Sequence, residues 1–279
     1  MIDFRNIKKY DESDPEFVSV IDELPFWSAP FGMKMLGQLK IRKNITGLDI
    51  GSGLGFPLLE VAMRLGITCR LFGVDIWKEG IDRIRKKIKI YKLGNVWIFN
   101  AQAENLPFEN DYFDLVFSNN GINNVQNLEK TLTEIKRVTK KGAQFLMTMN
   151  LDKTMIEFYD IFEEVLNNNG MFEEIKNMKR HIYEKRRPVS EIVDLLKSNL
   201  FNDIKIYEDS FDYKFADAEA VFNYLLIKAY FLESWLNLLP FNETDRIFNE
   251  VYKKMDKFAE LNGNFKLTIP YVLIDCVKN

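Results

Sequence analysis

The glycine-rich stretch at residues 47–60, GLDIGSGLGFPLLE, constrains the fold more than any other part of the sequence. It places Gly51, Gly53 and Gly55 between a short apolar run and a helix-like segment with Pro57 in its first turn. Glycine weakens strands and helices alike, so this spacing indicates a sharp turn at which the backbone lies close to something else. The stretch therefore predicts a strand, a ligand-binding loop and a helix, in that order.

Strand-like and helix-like segments alternate along the chain from residue 45 onward. The strand-like segments are apolar throughout, which is typical of a parallel sheet covered by helices on both faces. Predicted strands are residues 45–50, 69–76, 96–102, 113–119, 143–149, 201–215 and 265–279. Predicted helices are residues 56–66, 79–92, 128–138, 154–168, 190–199, 217–238 and 243–261. The pattern predicts an α/β fold: a Rossmann-like, doubly wound, seven-stranded sheet, mostly parallel with an antiparallel last strand, and a helical insertion between the last two strands.

No linker-like segment interrupts the sequence, so one domain over residues 1–279 is predicted. Within it, residues 1–40 form an N-terminal lid or cap segment that is rich in aromatic residues near its end. The sheet core takes residues 41–215 and 263–279, and the helical insertion takes residues 216–262.

Composition excludes several classes of function. The net charge of −3 provides no basic field that would attract nucleic acid. Two cysteines are too few for a disulfide framework or a cysteine-rich metal site, and they suit a cytoplasmic location. No membrane span is predicted, because the most apolar long stretch carries Lys228 and Glu233, and the N-terminus lacks a signal-peptide core.

A second signal is Asp75, 24 residues after Gly51 and at the end of the second predicted strand. A carboxylate there can accept two hydrogen bonds from ribose hydroxyls, a device that both dinucleotide-binding and S-adenosylmethionine-binding folds use. The spacing of the glycines distinguishes these two kinds of fold. The dinucleotide pattern is GxGxxG, whereas here Gly51, Gly53 and Gly55 are followed by Phe56.

The stretch LDIGSGLGF resembles motif I of the class I S-adenosylmethionine-dependent methyltransferases. GVDIW is similar to the acidic ribose-binding motif of that family, and AQAENLPFENDYFDLVFSN to its run from Asp-Ala-Glu into Phe-Asp-x-Val. These motifs occur in the family's order over residues 45–150. Overall the chain most resembles the ubiquinone/menaquinone-type group of small-molecule methyltransferases.

The resemblance implies how the cofactor, S-adenosyl-L-methionine, and its product, S-adenosyl-L-homocysteine, would be held. Asp49 would orient the ammonium group, Gly51 and Gly53 would leave room for the methionine part, and Asp75 would hold the ribose. Gln102 stands where many members have Asp, and its amide oxygen can still accept a hydrogen bond from the adenine amino group. The full cofactor-binding set is Asp49, Gly51, Ser52, Gly53, Asp75, Ile76, Gln102, Ala103, Glu104 and Asn119.

The implied reaction is methyl transfer to a small-molecule acceptor by in-line displacement, which depends on alignment and exclusion of water. No residue is assigned as catalytic, since a base is needed only if the acceptor must lose a proton early. The only histidine, His181, lies in the basic run KNMKRHIYEKRRP and is read as surface. The run itself is interpreted as a solvated face, with docking of an acidic acceptor as the alternative. Acceptor-binding candidates are Trp27, Phe31, Asn120 and Asn123.

Several alternatives stay open from sequence alone. The aromatic residues around Trp27 either pack the N-terminal segment on the sheet or form a lid over the cofactor. Aromatic residues of the insertion indicate either a cap over an apolar acceptor pocket or a homodimer face. The competing functions are an NAD(P)-dependent Rossmann oxidoreductase and a non-catalytic methyltransferase-like binding protein.

Overall fold

The computed structural model describes Phe4, residues 10–23 and residues 26–279. The strands are β1 Thr46–Ile50, β2 Arg70–Asp75, β3 Val96–Asn100, β4 Phe113–Asn119, β5 Thr139–Asn150, β6 Phe201–Phe215 and β7 Phe265–Lys278. The first helices are α1 Pro15–Asp22, α2 Ser28–Gln38, α3 Leu58–Leu65, α4 Lys78–Tyr91, α5 Leu128–Val138 and α6 Ile156–Asn168. The later helices are α7 Phe172–Lys185, α8 Val189–Ser198, α9 Ala218–Asn223, α10 Leu225–Tyr230, α11 Leu232–Leu236 and α12 Thr244–Asn262.

The sheet has seven strands in the order β3-β2-β1-β4-β5-β7-β6. β1 pairs in parallel with β2 and β4, β2 with β3, and β4 with β5, whereas β7 runs antiparallel to β5. This confirms the predicted fold class. Because β1 lies between β2 and β4, the carboxyl ends of these three strands share one edge, the usual ligand-binding edge of such sheets.

The chain divides into two compact units. Unit 1 comprises residues 1–11, 151–187 and 210–270, and unit 2 comprises residues 12–150, 188–209 and 271–279. The sequence-based division into a segment at 1–40, a core at 41–215 with 263–279, and an insertion at 216–262 remains a prediction.

The core of unit 2 forms where apolar helix faces cover the parallel strands. Leu58, Leu59 and Ala62 of α3 and Ile81 and Ile84 of α4 are buried in one cluster with strand residues. Burial of such aliphatic side chains contributes roughly 1.5–3 kcal/mol each. The cluster holds α3 and α4 in place, and the loops that precede both helices lie at the carboxyl edge of the sheet.

Unit 1 is built around aromatic side chains. Phe158 of α6 stacks on Trp235 of α11 at 3.9 Å between ring centroids. Phe248 of α12 lies 5.3 Å from Phe4 and 5.4 Å from Phe162 of α6. These rings are almost completely buried and form the core of the unit, whereas other aromatic residues of the unit, such as Phe172 and Phe241, are exposed.

Some helix predictions were wrong or missing. The segment predicted as one helix at 217–238 is three short helices, α9, α10 and α11. Tyr224, with an extended backbone (φ −65°, ψ 130°), separates α9 from α10, and Phe231 separates α10 from α11. The basic run around His181 was read as exposed surface, but it forms much of α7, and His181 is partly buried there. The predicted lid at 1–40 contains α1 and α2, while residues 1–3, 5–9, 24 and 25 of it lie outside the described residues.

Candidate functional site

The glycine loop leaves β1 and turns back over the end of β2. The amides of Gly51 and Ser52 both donate to the Val74 carbonyl, at 3.0 and 3.1 Å. Gly51 has a φ of +76°, and a Cβ on it would lie 3.1 Å from the Cα of Gly121. Gly53 has a φ of +51°, and a Cβ on it would meet no atom within 4 Å. The first glycine therefore permits close packing of two loops, whereas the second faces open space.

Asp75 fixes this loop from the end of β2. One carboxylate oxygen, Oδ2, accepts from the amide of Gly53 at 2.7 Å, and Oδ1 accepts from the amide of Trp77 at 2.8 Å. Each carboxylate oxygen has a second lone pair, so both can accept a further hydrogen bond. Asp75 is only partly buried and thus remains accessible to a ligand.

Asp49 lies on β1, directly below the loop, and is completely buried. Neither of its carboxylate oxygens has a hydrogen-bond partner among the described residues. Burial raises the pKa of Asp49 to about 8; the charge of Asp75 adds to the rise, and the Ser52 side chain opposes it. A buried, unpartnered carboxyl group is costly, so it marks a position where a ligand cation would be stabilised.

The residues predicted to contact adenine lie at the ends of β2 and β3, which are neighbouring strands. Ile76 is 68% exposed, and Gln102 is exposed in the loop after β3. Glu104 is differently engaged, because its Oε1 accepts from the amides of Gln126 and Asn127 at 2.8 and 3.0 Å. Glu104 therefore ties the loop after β3 to the segment before α5, a role that the sequence did not indicate.

The asparagines after β4 also have structural partners. The Asn119 amide donates to the Ser28 carbonyl at 3.0 Å and accepts from the Thr148 hydroxyl at 2.9 Å. Asn120 has a φ of +57°, and its side-chain oxygen accepts from the Asn150 amide at 3.1 Å. Asn119 thus joins the start of α2 to the ends of β4 and β5.

Asn123 keeps an unused polar atom. Its side-chain nitrogen donates to the carbonyl and side-chain oxygens of Asn150. Its own Oδ1 is buried and has no hydrogen-bond partner among the described residues. Of the two asparagines predicted to bind the acceptor, Asn123 is therefore the one whose side-chain oxygen has no partner among the described residues.

The aromatic candidates of the N-terminal segment differ in burial. Phe31 is completely buried and packs edge-on against Tyr271 at 4.8 Å, so packing accounts for it. Trp27 is partly exposed and lies 5.5 Å from Phe31. An acceptor-binding role for either residue remains a prediction.

A polar contact that the sequence did not reveal holds α1 on α4. The carboxylate of Asp22, whose side chain is 7% exposed, pairs with Arg83 at 2.6 Å and with Lys87. Lys87 also donates to the Leu54 carbonyl in the glycine loop at 2.7 Å. The residues are 61 and 65 positions apart, so no local spacing rule could have paired them.

We expect Asp22→Ala to lower the free energy of unfolding by about 1–3 kcal/mol, because two partly buried cations lose their shared acceptor. Urea denaturation measures this. The control is Asp82→Ala, which removes an exposed pair with Arg85 on the same helix and should cost under about 0.5 kcal/mol. Equal losses for the two variants would show that the Asp22 contact is no stronger than a surface ion pair.

Comparison with known proteins agrees with this geometry. A family model described as a methyltransferase domain matches residues 48–147, which include the end of β1, all of β2 to β4 and most of β5. The chain contains a methyltransferase domain. This bears out the resemblance to class I S-adenosylmethionine-dependent methyltransferases drawn from the glycine loop and Asp75.

The relatives of the methyltransferase domain include enzymes of quinone biosynthesis. The ubiquinone/menaquinone biosynthesis C-methyltransferase UbiE of Enterobacter sp. (strain 638) is 33% identical over 118 residues, 42% of this chain and 47% of that protein. The demethylmenaquinone methyltransferase of Geobacillus sp. (strain WCH70) is 26% identical over 125 residues, 45% of this chain and 53% of that protein. The chain spans about half the length of the curated relatives it matches.

Solved structures share the fold over a larger part of the chain. The YcgJ protein from Bacillus subtilis superposes with a TM-score of 0.59 at 18% identity, covering 90% of this chain and 99% of that one. At this identity the likeness concerns the fold.

Two kinds of feature are absent from the described residues. Within this part of the chain, no helix is both long and apolar enough to cross a membrane. The same residues contain no group of three or more His, Cys, Asp or Glu side chains placed to hold a metal ion.

Proposed function

We propose that this protein is an S-adenosylmethionine-dependent methyltransferase that acts on a small-molecule acceptor. The observation that carries the proposal is the unpartnered carboxyl group of Asp49, buried beneath a glycine loop that follows β1. An ammonium group placed on that loop would satisfy it, which is the role that the family resemblance implies for this residue.

Other residues of the loop fit the same cofactor. Asp75 retains lone pairs for ribose hydroxyls, and the open space at Gly53 would accommodate the methionine part. The proposed set is completed by Gly51, Ser52, Ile76, Gln102, Ala103, Glu104 and Asn119. When bound, the cofactor supplies a methyl group on a sulfonium, which is already a good electrophile.

The task left to the protein is positioning. Asp49 and Asp75 would fix the two ends of the cofactor, and the segment after β4 would orient the acceptor, with Asn123 Oδ1 as a hydrogen-bond acceptor for it. Trp27, Phe31 and Asn120 belong to the same proposed acceptor side. No residue is assigned as a general base.

Isothermal titration calorimetry with S-adenosylhomocysteine tests the proposal directly. We expect saturable binding, and a rise in melting temperature that NADH does not produce. Stabilisation by NADH alone would favour the nicotinamide-dependent oxidoreductase. Binding of S-adenosylhomocysteine without methyl transfer to any of a panel of phenols, amines and quinone precursors would favour a non-catalytic binding protein.

We expect Asp75→Ala to weaken S-adenosylhomocysteine binding by about 1.5–3 kcal/mol, the scale of hydrogen bonds to a charged group. Because Asp75 also holds the Gly53 amide, Asp75→Asn is the informative partner: it keeps one oxygen acceptor and should lose less affinity. Calorimetry on both variants measures this. Unchanged affinity in a folded Asp75→Ala protein would disprove the ribose assignment.

The proposal extends to the setting of the enzyme. We place it in the cytoplasm, without nucleic-acid partners, as a homodimer through the helical insertion at 216–262. Light scattering coupled to size-exclusion chromatography measures the oligomeric state, and a monomer at micromolar concentration would disprove the dimer.

A further inference from the structure

Unit 1 contains a buried cation that no carboxylate of the described residues neutralises. Arg186 follows α7 directly and is only 5% exposed. Its Nη1 has no hydrogen-bond partner, and no carboxylate within the described part of the chain forms an ion pair with it. Arginine stays protonated in proteins, so it does not escape this cost by losing its charge. Buried charges in stable folds are paired, and this one is not.

A second unused donor lies beside it. The guanidinium carbon of Arg186 is 5.8 Å from the ring centroid of Tyr159, which is 2% exposed. The Tyr159 oxygen accepts from Trp235 Nε1 at 3.0 Å, but none of the described residues accepts the Tyr159 hydroxyl proton. A guanidinium N–H and a phenol O–H in one contact pair thus both lack acceptors.

At the end of α7 it is the backbone amide of Arg186, and not Nη1 of its guanidinium, that makes hydrogen bonds. The Arg186 amide donates to the carbonyls of Ile182 and Tyr183, at 2.9 and 3.2 Å. A helix C-terminus carries about half a negative elementary charge, less than the full charge of the guanidinium.

His181 on α7 lies close enough to Arg186 for its pKa to respond to that charge. Burial lowers the pKa of His181 first, and the charges of Arg186 and Lys185 lower it further, with Glu184 opposing them. A buried guanidinium without a described counter-charge, beside an unused hydroxyl donor, matches a group that is negatively charged and accepts several hydrogen bonds.

We propose that Arg186 and Tyr159 form a binding site for an oxyanion, a phosphate or carboxylate group of a small molecule. The guanidinium offers two parallel N–H groups that fit the oxygen pairs of either anion, and the Tyr159 hydroxyl supplies a further donor. This site lies wholly in unit 1. It is independent of the proposed cofactor contacts.

The test is calorimetry and phosphorus NMR on the full chain in HEPES buffer, with inorganic phosphate, phenyl phosphate and acetate as probes. We expect saturable phosphate binding that Arg186→Met weakens at least about tenfold, because the bidentate charge contact is lost. The control is Arg180→Met, on the same helix but with a side chain that is 69% exposed, and it should bind phosphate within about twofold of the wild type. Arg186→Lys is a second variant: it keeps the positive charge but lacks the planar pair of N–H donors, and its phosphate affinity should fall at least about fivefold.

Tighter binding of phenyl phosphate than of phosphate assigns the site to an organic phosphate, and the reverse order assigns it to free phosphate. Tightest binding of acetate assigns it to a carboxylate. No saturable binding of any probe, or equal phosphate binding by the wild type, Arg186→Met and Arg186→Lys, overturns the proposal. Since the readout is anion binding, such a failure leaves the methyltransferase proposal intact.

Discussion

Asp49→Asn is expected to make the free protein more stable at pH 7 while weakening its binding of S-adenosylhomocysteine. The carboxyl group must stay protonated in the fold, because burial raises its pKa from 3.8 to about 8. Each pKa unit corresponds to about 1.4 kcal/mol, so replacement by a neutral amide should raise the free energy of unfolding by about 2–4 kcal/mol at pH 7. Affinity should fall roughly 10- to 100-fold, because the ligand ammonium loses its counter-charge.

The pH dependence follows from the direction of this shift. Above about pH 4 the unfolded chain has released the Asp49 proton, whereas the folded protein still holds it. The contribution of protonated Asp49 to the free energy of unfolding is therefore fully present only below that pH. It is lost as pH rises through the folded-state pKa near 8. The stability advantage of Asp49→Asn should therefore be near zero at pH 4 and grow toward pH 8.

Ligand binding should release the proton that Asp49 holds in the free protein. An ammonium beside Asp49 favours the carboxylate and lowers its pKa, so binding at pH 7 should release up to one proton. Calorimetry in HEPES and in Tris, which differ in ionisation enthalpy, measures the release, and Asp49→Asn should abolish it. Asp114→Asn is the control: its carboxylate is paired with Lys140 and the Thr46 amide, so that change should destabilise and leave binding unchanged. If Asp49→Asn binds as tightly as the wild type and releases as many protons, the ammonium assignment fails.

Gly53→Val should abolish detectable S-adenosylhomocysteine binding, a loss of at least about 100-fold, while the fold survives. A Cβ at this position meets nothing in the protein, so the added side chain would occupy only the space proposed for the ligand. The φ of +51° adds backbone strain of about 1–2 kcal/mol. Calorimetry and circular dichroism on the same sample separate lost binding from lost structure.

The matched control for that strain is Gly142→Val. Gly142 also has a positive φ, +77°, and a Cβ on it would likewise meet no atom within 4 Å, but it lies outside the loop. It should lose similar stability and keep the affinity of the wild type. Normal binding by Gly53→Val would contradict the idea that the ligand approaches the main chain there.

Sequence reasoning predicted the sheet well because its signals are local. Apolar runs such as residues 113–119 coincide with β4, and the order of strands and helices along the chain implied the parallel core. The insertion was less predictable: the apolar stripe through 217–238 has helical spacing, yet the backbone leaves the helix at Tyr224, whose ring packs against Phe215 of β6 at 5.2 Å. The spacing of apolar residues does not predict this tertiary contact.

In the candidate site, too, the sequence predicted some features and missed others. Asp49, Gly53 and Asp75 lie close together in the structure, as the motif spacing implied, because Asp49 lies near the end of β1, Gly53 follows β1 and Asp75 ends the neighbouring strand β2. Glu104 lies in the loop after β3 and Asn119 ends β4, but polar atoms of both are used by Gln126, Asn127, Ser28 and Thr148, and their cofactor contacts remain a prediction. Such partners lie 22 to 91 positions away, a distance at which sequence alone gives no pairing signal. The lone charge of Arg186 was likewise invisible inside a basic run.

The contact between the Asp75 carboxylate and the Gly53 amide is made by the protein's own atoms. The glycine loop is therefore already in place before a nucleoside binds at this edge, and little conformational entropy of the loop would be lost on binding. Association would then be governed by diffusional encounter rather than by rearrangement of the loop, and differences in affinity among ligands would reside chiefly in how fast each one departs.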